Sequence, residues 1–316
     1  MLIRRWKALR KKGILGINRR NAEFTLRYNS RRQYPKVDDK LLTKQLAADC
    51  AIPVPQLYGV IRMAGQVRRI HQMLSNYEDF VIKPARGSGG EGIMVISGRT
   101  QGLYRRSDGR LLEPEEIEHH VRNILSGMYS LGARPDKVLL EYRVQFNPVF
   151  EPISYQGVPD IRIIVFFGIP VMSMIRLPTQ MSSGKANLHL GAVGAGIDIA
   201  TGTTLDGVWR NRAVIHHPDT GNPIRGLPIP EWPSLLELAG RCYELTGIIY
   251  QGVDIVLDQK LGPLLLEINA RPGLNIQIAN NAGLLPRLRL IEEKHDELHD
   301  IKNRLAFAVQ HFGTTF

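Results

Sequence analysis

The chain contains two apolar runs, Val253-Asp254-Ile255-Val256-Leu257 and Leu264-Leu265-Leu266-Glu267-Ile268-Asn269, separated by six residues. Each run has the length of a strand, and the short separation predicts a hairpin. With the turn centred between residues 260 and 261, Asp254 lies opposite Glu267. Side chains alternate between the two faces of a strand, so Asn269 shares the face of Glu267. One face of the hairpin is therefore polar, and the other is apolar and predicts core.

The polar face predicts a metal site. Directly opposed carboxylates destabilise a strand pair, so a cation is expected between Asp254 and Glu267. Carboxylate and amide oxygens are ligands that Mg²⁺ prefers, particularly where phosphates complete its shell. The alternative is a solvated sheet face, but such a face more often places Lys or Thr opposite Glu. We therefore predict Asp254, Glu267 and Asn269 as metal ligands.

A glycine-rich loop, Gly87-Ser88-Gly89-Gly90-Glu91-Gly92, lies between two predicted strands at 80–83 and 93–96. A dinucleotide-binding loop is followed by a helix, whereas this loop is followed by a predicted strand. That context is typical of a flap whose backbone N–H groups close over phosphates. Lys83 ends the entering strand and would supply a positive charge. Alone, the loop is equally well explained as a plain turn, and the predicted metal site downstream favours the flap.

The remaining pattern predicts an α/β (α+β) protein with two lobes, since 316 residues at 43% hydrophobic composition can form a large core. Each lobe is expected to have a mainly antiparallel sheet with helices. Helices are predicted at 40–50, 113–130 and 233–246, and one long helix after Pro286. Strands are predicted at 138–142 and in a hairpin over 161–177. The predicted organisation is an N-terminal arm at 1–36, lobes at 37–139 and 140–285, and a C-terminal helix at 286–316.

The positive charge is concentrated at the N-terminus. Residues 1–36 contain twelve Lys or Arg and one acid, whereas the other 280 residues contain 29 basic and 29 acidic side chains. This distribution argues against a uniformly basic nucleic-acid-binding protein. The arm could contact an anionic membrane surface, a protein partner or a nucleic acid, or lie solvated on the body; we favour the membrane or partner over nucleic acid.

Cysteine use and hydropathy predict a cytoplasmic protein, with peripheral membrane contact as an open alternative. The chain has two cysteines, too few for a disulfide framework. The longest apolar run, 163–175, is interrupted by Gly168 and Pro170 and is too short to span a bilayer.

These motifs together resemble the ATP-grasp superfamily, and within it the RimK-like α-L-glutamate ligases. The resemblance covers about residues 38–285. It is carried by seven segments in order: Asp39-Lys40-Leu41, Val81-Ile82-Lys83-Pro84 with the glycine loop, Leu140-Glu141-Tyr142, Asp160-Ile161-Arg162, Asn187-Leu188-His189, Gly252-Val253-Asp254 and Leu266-Glu267-Ile268-Asn269-Ala270-Arg271-Pro272-Gly273.

The resemblance implies an ATP-grasp fold and an ATP-dependent carboxylate–amine ligase that works through an acyl phosphate. It would use ATP and Mg²⁺, with Mn²⁺ as a substitute, and would add glutamate or another amino acid to a peptide or small acid. Implied catalytic residues are Lys83, Arg176 and Arg271. Implied nucleotide-binding residues are Lys40, Lys83, Gly87, Ser88, Gly89, Gly90, Gly92, Glu141, Tyr142, Arg143, Val144 and Asn187.

The chain departs from the RimK-like pattern in two places. Only residues 1–37 precede the first motif, where that family has a separate domain, and Arg271 stands where the family often has a serine before Pro-Gly. A kinase-type phosphotransferase is the alternative, because a glycine flap, a lysine and two acids also serve kinases. Against it, Lys83 precedes the glycine loop, whereas a kinase lysine follows it.

Overall fold

A computed structural model of the chain describes residues 8–87, 89–130 and 132–313. The described strands form two sheets in which all pairs are antiparallel, as the sequence predicts. The first sheet has the order β1-β6-β2-β3-β4-β5. Its strands are β1 (Leu57–Ile61), β2 (Phe80–Pro84), β3 (Met94–Thr100), β4 (Leu103–Arg106), β5 (Leu111–Leu112) and β6 (Val138–Glu141). Because β6 lies entirely in this sheet, the first lobe reaches Glu141 and not residue 139.

The second sheet has seven strands in the order β11-β10-β9-β8-β7-β12-β13. Its strands are β7 (Asp160–Phe166), β8 (Ile169–Leu177), β9 (Val193–Ile197), β10 (Thr204–Trp209), β11 (Arg212–Val214), β12 (Tyr250–Asp258) and β13 (Gly262–Asn269). The central strands are buried along nearly their whole length. This burial makes them a rigid support for the side chains they carry.

The β12–β13 hairpin has the predicted register at its polar end, with Asp254 directly opposite Glu267. A bulge between Asp254 and Ile255 shifts the rest of the pairing, so that Leu257 faces Pro263 and not Leu264. A symmetric count over the turn therefore gives the correct partner for Asp254 but not for the residues beyond the bulge, because the extra residue belongs to one strand only.

Nine helices complete the described chain besides a short helical stretch at 8–11 and 3₁₀ turns. They are α1 (residues 17–28, with a π-helical segment at Arg20–Thr25), α2 (Pro35–Asp38), α3 (Lys40–Asp49), α4 (Ile70–Met73), α5 (Pro114–Leu125), α6 (Trp232–Thr246), α7 (Ile276–Ala279), α8 (Leu285–Lys294) and α9 (Ile301–Phe312). Helix α5 begins at a capping box formed by Glu113 and Glu116 and ends before residue 130, because Gly127 has a positive φ of 88°. Among the described residues, no helix has the length and apolarity to cross a membrane.

The prediction of one long C-terminal helix is wrong. Helices α8 and α9 are separated by a 3₁₀ turn at His295–Glu297 and by residues 298–300, and Asp300 caps α9 by accepting from the backbone N–H of Asn303. A helical pattern with apolar residues at regular spacing does not reveal this break, since an N-cap aspartate inside a polar stretch resembles any other surface acid.

The N-terminal segment is not a free arm over its described length. Phe24 on α1 is fully buried and its ring packs edge-on against Phe166, with centroids 5.7 Å apart. Leu15 and Tyr34 are also buried in the core of the second lobe. Asn29 is buried and donates to the backbone oxygen of Tyr250 at 2.7 Å. Residues 13–36 therefore form part of the second lobe, and the predicted boundary between arm and body at 36/37 lies inside a packed unit.

Candidate functional site

A cleft of about 200 Å³ lies between the glycine flap of the first lobe and the polar end of β13. Residues from both lobes line it: Tyr34, Val37, Asp38, Lys40, Arg86, Gly87, Gly89, Glu267, Ile268, Asn269, Ala270 and Arg271. The sequence predicts a nucleotide flap and a metal strand, and the fold brings both to the same cleft.

Lys40 connects the two sides of this cleft. Its Nζ donates to the backbone oxygen of Gly87 at 2.7 Å and lies 3.4 Å from Oε2 of Glu267. Lys40 is positioned because it is the first residue of α3, whose N-cap Asp39 accepts from the backbone N–H groups of Leu41 and Leu42. An ammonium group so placed faces any anion that enters between flap and strand.

The second lobe also reaches the flap through Asn187. Its Nδ2 donates to the backbone oxygen of Gly89 at 3.2 Å, and its Oδ1 accepts from the N–H of His189 at 2.9 Å. Gly89, Gly90 and Gly92 have positive φ values of 64°, 80° and 71°, which residues with a side chain rarely adopt. Ser88, also predicted to bind nucleotide, lies outside the described residues.

The glycines that follow Asn187 do not all lie in a loop. Gly194 and Gly196 lie in the buried strand β9. A Cβ at Gly194 would lie 2.5 Å from Cδ2 of Leu188, and one at Gly196 would lie 2.7 Å from Oδ1 of Asn280. These glycines are explained by close packing on the sheet.

Asp254 is almost fully buried at the centre of a charged network on the sheet face. Its Oδ1 accepts from Nε of Arg162 at 2.6 Å, and its Oδ2 accepts from Nη2 of Arg162 at 2.5 Å and Nη2 of Arg176 at 2.9 Å. The register explains the contact, since Asp254 faces Arg162 across β12–β7. Although burial opposes ionisation, the two guanidinium groups hold the pKa of Asp254 well below its ordinary value.

Asp160 forms a second, two-point ion pair with Arg176, directly across β7–β8. Burial raises the pKa of Asp160 to about 6, against the opposing effect of Arg176, and the charge of Asp254 adds to the rise. The two carboxylates share Arg176, and Asp254 has a second guanidinium. Asp254 therefore ionises first as pH increases.

Lys83 and Glu141 form a buried ion pair between neighbouring strands of the first sheet. A second lysine, Lys44 on α3, lies with its Nζ 3.0 Å from Oε2 of the same carboxylate and donates to the backbone oxygen of Pro55 at 2.7 Å. Burial opposes ionisation of Glu141, but the two ammonium groups hold its pKa below the usual range. The cluster of two lysines and one glutamate carries a net positive charge.

Burial also lowers the pKa of Lys44 to about 8, with Glu141 opposing the change and Lys83 adding to it. Lys44 is a residue that the sequence analysis missed. The sequence gives little indication of its role, because a lysine in an amphipathic helix is usually exposed to solvent. Only the folded structure shows that Lys44 faces Glu141 of the neighbouring strand.

The segment 141–144, whose residues the resemblance implies in nucleotide binding, links the two lobes. The N–H of Tyr142 already donates to the backbone oxygen of Gln56 at 2.8 Å, and its hydroxyl donates to Asp258 at 3.0 Å. Arg143 Nη1 lies 3.2 Å from Oδ2 of Asp79. Adenine contacts of this segment would therefore use backbone groups other than the N–H of Tyr142.

Arg271 is exposed at the cleft edge, with its guanidinium 5.0 Å from the ring centroid of Tyr34. Arg176, by contrast, is largely buried and already paired with two carboxylates. The resemblance implies both arginines in catalysis. Arg271 is available to a substrate anion, whereas Arg176 could contact one only after its ion pair with Asp160 or Asp254 breaks.

The donor set at the hairpin suits an oxygen-ligated cation in part. Within the described ranges, no group of three or more His, Cys, Asp or Glu side chains could hold a metal ion, so the predicted site rests on two carboxylates and one amide. Glu267 is partly exposed and each of its oxygens has one polar neighbour, Nδ2 of Asn269 or Nζ of Lys40. Both oxygens of Asp254 accept from guanidinium groups. Glu267 fits a metal ligand best.

A family profile described as sugar-transfer associated ATP-grasp matches residues 19–293. The chain belongs to the sugar-transfer associated ATP-grasp family. Its two antiparallel sheets with helices are the ATP-grasp fold, as the sequence predicts. The match begins at residue 19, so it includes most of helix α1, which lies within the arm predicted at 1–36. No curated protein matches this ATP-grasp chain significantly.

Several solved structures are similar to this chain at low identity. The ATP-grasp ligase PsnB in complex with a minimal precursor has a TM-score of 0.46 and 17% identity, covering 83% of this chain and 60% of that chain. D-cycloserine synthetase DcsG has a TM-score of 0.45 and 15% identity, covering 84% and 72%. D-alanine–D-alanine ligase from Bacillus anthracis has a TM-score of 0.46 and 13% identity, covering 90% and 69%. The chain thus spans about three fifths of the length of PsnB.

Proposed function

We propose that this ATP-grasp protein is an ATP-dependent carboxylate–amine ligase. The observation that supports the proposal is the contact of Lys40 with both Gly87 of the flap and Glu267 of β13, which brings the predicted phosphate-binding loop, a cation and a metal-ligand candidate into one cleft. Phosphoryl transfer is catalysed mainly by positioning and by cations around the transferred group. The cleft supplies both.

The proposed reaction has two steps. A substrate carboxylate oxygen attacks the γ-phosphorus of ATP, the bond between that phosphorus and the β–γ bridging oxygen breaks, and ADP leaves. The nitrogen of an amine then attacks the acyl carbon, the bond to the phosphate oxygen breaks, and the amine loses a proton as the amide forms. The products are amide, ADP and inorganic phosphate.

In this proposal Lys40 and Lys83 bind the α- and β-phosphates under the flap glycines, and the backbone near Glu141 contacts adenine. Glu267, Asp254 and Asn269 hold Mg²⁺, which supplies positive charge to the phosphates when bound. Asn269 presents its oxygen only after its amide turns away from the two carboxylates, because Nδ2 points to them at 3.2 and 3.3 Å. Arg176 and Arg162 keep Asp254 ionised, and Arg176 can move to a developing phosphoryl charge.

The finer proposal concerns the substrates. We propose glutamate or another amino acid as one substrate and a peptide or small carboxylic acid as the other, in the manner of RimK-like ligases. The exposed guanidinium of Arg271, held over the ring of Tyr34, supports an acidic group on one substrate, since Arg binds carboxylates in a two-point geometry.

The test is an assay of ATP conversion with Mg²⁺ across a panel of amino acids and acidic peptides, followed by mass spectrometry. We expect ADP, free phosphate and a product heavier by one amino acid minus water. A product that instead gains one phosphoryl group would replace the ligase with a phosphotransferase.

Replacing Lys83 with Ala is expected to weaken ADP binding by about tenfold or more, the effect of one charge-assisted hydrogen bond. The fold should tolerate the change, because Glu141 keeps Lys44 as a partner. Calorimetric titration with ADP and thermal melting measure the two effects. Lys137→Ala, which removes a lysine paired with Asp39, is the control. Unchanged affinity with a large loss of stability would make Lys83 structural.

Nucleotide affinity should depend on pH through Lys44. Its pKa of about 8 means that the cluster carries a net positive charge below pH 8 and becomes neutral above it, while Glu141 stays ionised. ADP affinity is therefore expected to fall by about fivefold between pH 7 and 9, within the range of typical coupling between sites. The groups facing the Lys44 ammonium are Glu141, Lys83 and the Pro55 carbonyl. Lys44→Met should bind more weakly at pH 7 and lose most of this dependence; an unchanged pH profile would contradict the role.

A further inference from the structure

An open apolar groove of about 420 Å³ lies on the second lobe, outside the cleft. It is formed where the N-terminal segment crosses the chain that follows β13. Its lining residues are Leu9, Lys12, Ile14, Leu15, Leu274, Asn275, Gln277, Ile278 and Asn281. Leu9 and Ile278 are about half exposed, at 50% and 46%.

The buried polar side chain of the groove, Gln277, is already satisfied by the protein. The side chain of Gln277 accepts from the N–H groups of Leu15 and Leu284 and donates to the backbone oxygen of Leu15, at 2.8, 3.0 and 3.0 Å. These bonds leave the inner surface to aliphatic side chains. An occupant of the groove therefore gains by burying hydrocarbon and not by hydrogen bonding to its floor.

The rim of the groove is positively charged. Lys12 lines it and donates to Oδ1 of Asn281 at 3.1 Å, which uses one of the three N–H bonds of its ammonium group. Arg10 and Lys11 are exposed in the same helical stretch. Residues 8–36 hold nine Lys or Arg and one acid, Glu23, whereas residues 37–316 hold 29 basic and 29 acidic side chains.

We propose that this groove and its rim form a docking surface for an anionic phospholipid bilayer, with the aliphatic side chains entering the lipid and the cations contacting the headgroups. Exposed aliphatic side chains beside clustered cations are the features by which proteins bind membrane interfaces. A nucleic acid would contact the cations but would not bury Leu9 or Ile278. The inference does not depend on the proposed ligase activity.

Docking in this way brings the cleft close to the bilayer. Leu274 and Asn275 of the groove follow Arg271 of the cleft by three and four residues. The connection is rigid, because Arg20 on α1 is buried and donates to the backbone oxygen of Pro272 at 2.7 Å. A substrate held at a membrane surface would then lie within reach of the cleft.

The test is cosedimentation of the full chain with vesicles of phosphatidylcholine alone or with a quarter of phosphatidylglycerol, at physiological salt. We expect binding to the anionic vesicles only. Leu9→Ser with Ile278→Ser should weaken it at least about fivefold, and Lys11→Glu with Lys12→Glu at least about fivefold per cation removed. The matched controls lie on the first lobe: Met63→Ser with Met128→Ser, both strongly exposed, and Arg68→Glu with Arg69→Glu.

Binding to neither vesicle, equal binding to both, or binding retained in both groove variants would overturn the proposal. The proposal would also be overturned, in favour of an anionic polymer, by two results together. Only the charge variant would lose vesicle binding, and the wild type would bind the soluble polyanion heparin as tightly as it binds anionic vesicles. Circular dichroism melting of each variant checks that the exposed substitutions leave the fold intact.

Discussion

Replacing Glu267 with Gln is expected to lower ATP turnover by at least about 100-fold, since substitution even of a residue that only orients a metal ligand costs 10- to 100-fold. The fold should persist, because Gln has the shape of Glu and the side chain is partly exposed, at 31%. The metal role has its own signature: Mg²⁺ should no longer strengthen ADP binding. Titration of ADP with and without Mg²⁺ measures this without a known substrate.

Two further variants separate the metal role of Glu267 from its contact with Lys40. Glu237→Gln, on the exposed face of α6, is the control and should behave as wild type. Lys40→Met removes the partner at 3.4 Å and should weaken ADP binding while preserving its dependence on Mg²⁺. Wild-type turnover in Glu267→Gln would contradict the metal assignment, and lost turnover with unchanged Mg²⁺ dependence would assign Glu267 to holding Lys40.

Replacing Phe24 with Ala is expected to reduce the free energy of unfolding of the second lobe by about 3–5 kcal/mol, the usual effect of emptying a buried phenylalanine site. The ring is fully buried between Phe166 and Tyr250, with centroid distances of 5.7 and 5.9 Å. Denaturant unfolding followed by tryptophan fluorescence is a suitable measurement, because Trp209 and Trp232 both lie in this lobe.

Leu26→Ala is the matched control, since Leu26 is on the same helix but 60% exposed. It should change the free energy of unfolding by about 0.5 kcal/mol or less. Equal free energies of unfolding for the two variants would indicate that the N-terminal segment is a solvated arm, as its composition alone suggests.

The polar hairpin could be predicted from sequence because its information is local. Alternation with period two assigns the faces of both strands, and the six residues between the two apolar runs set Asp254 opposite Glu267 without any knowledge of the rest of the chain. The bulge at Asp254/Ile255 is not visible in this way, because both runs remain apolar whichever residue is unpaired.

The packing of the N-terminal segment could not be predicted from its composition. Twelve basic residues suggest a solvated or binding arm, yet Phe24, Leu15 and Tyr34 supply enough apolar contact to fix it on the second lobe. Charge determines what the outer surface of this segment attracts, whereas a few large side chains determine where it lies.

The sequence by itself determined the β12–β13 hairpin, the register of the acidic pair and the glycine loop between two strands, because each depends on neighbours within one hairpin. The assembly of the two sheets also needs strand pairs that are distant in the chain, such as β1–β6 and β7–β12. Only the tertiary structure decided which charges meet. Arg162 and Arg176 hold Asp254, Lys44 joins Lys83 on Glu141, and Lys40 spans from Gly87 to Glu267. Most of these contacts join segments far apart in the chain, and charge attracts charge at any sequence separation, so no local pattern of residues specifies them.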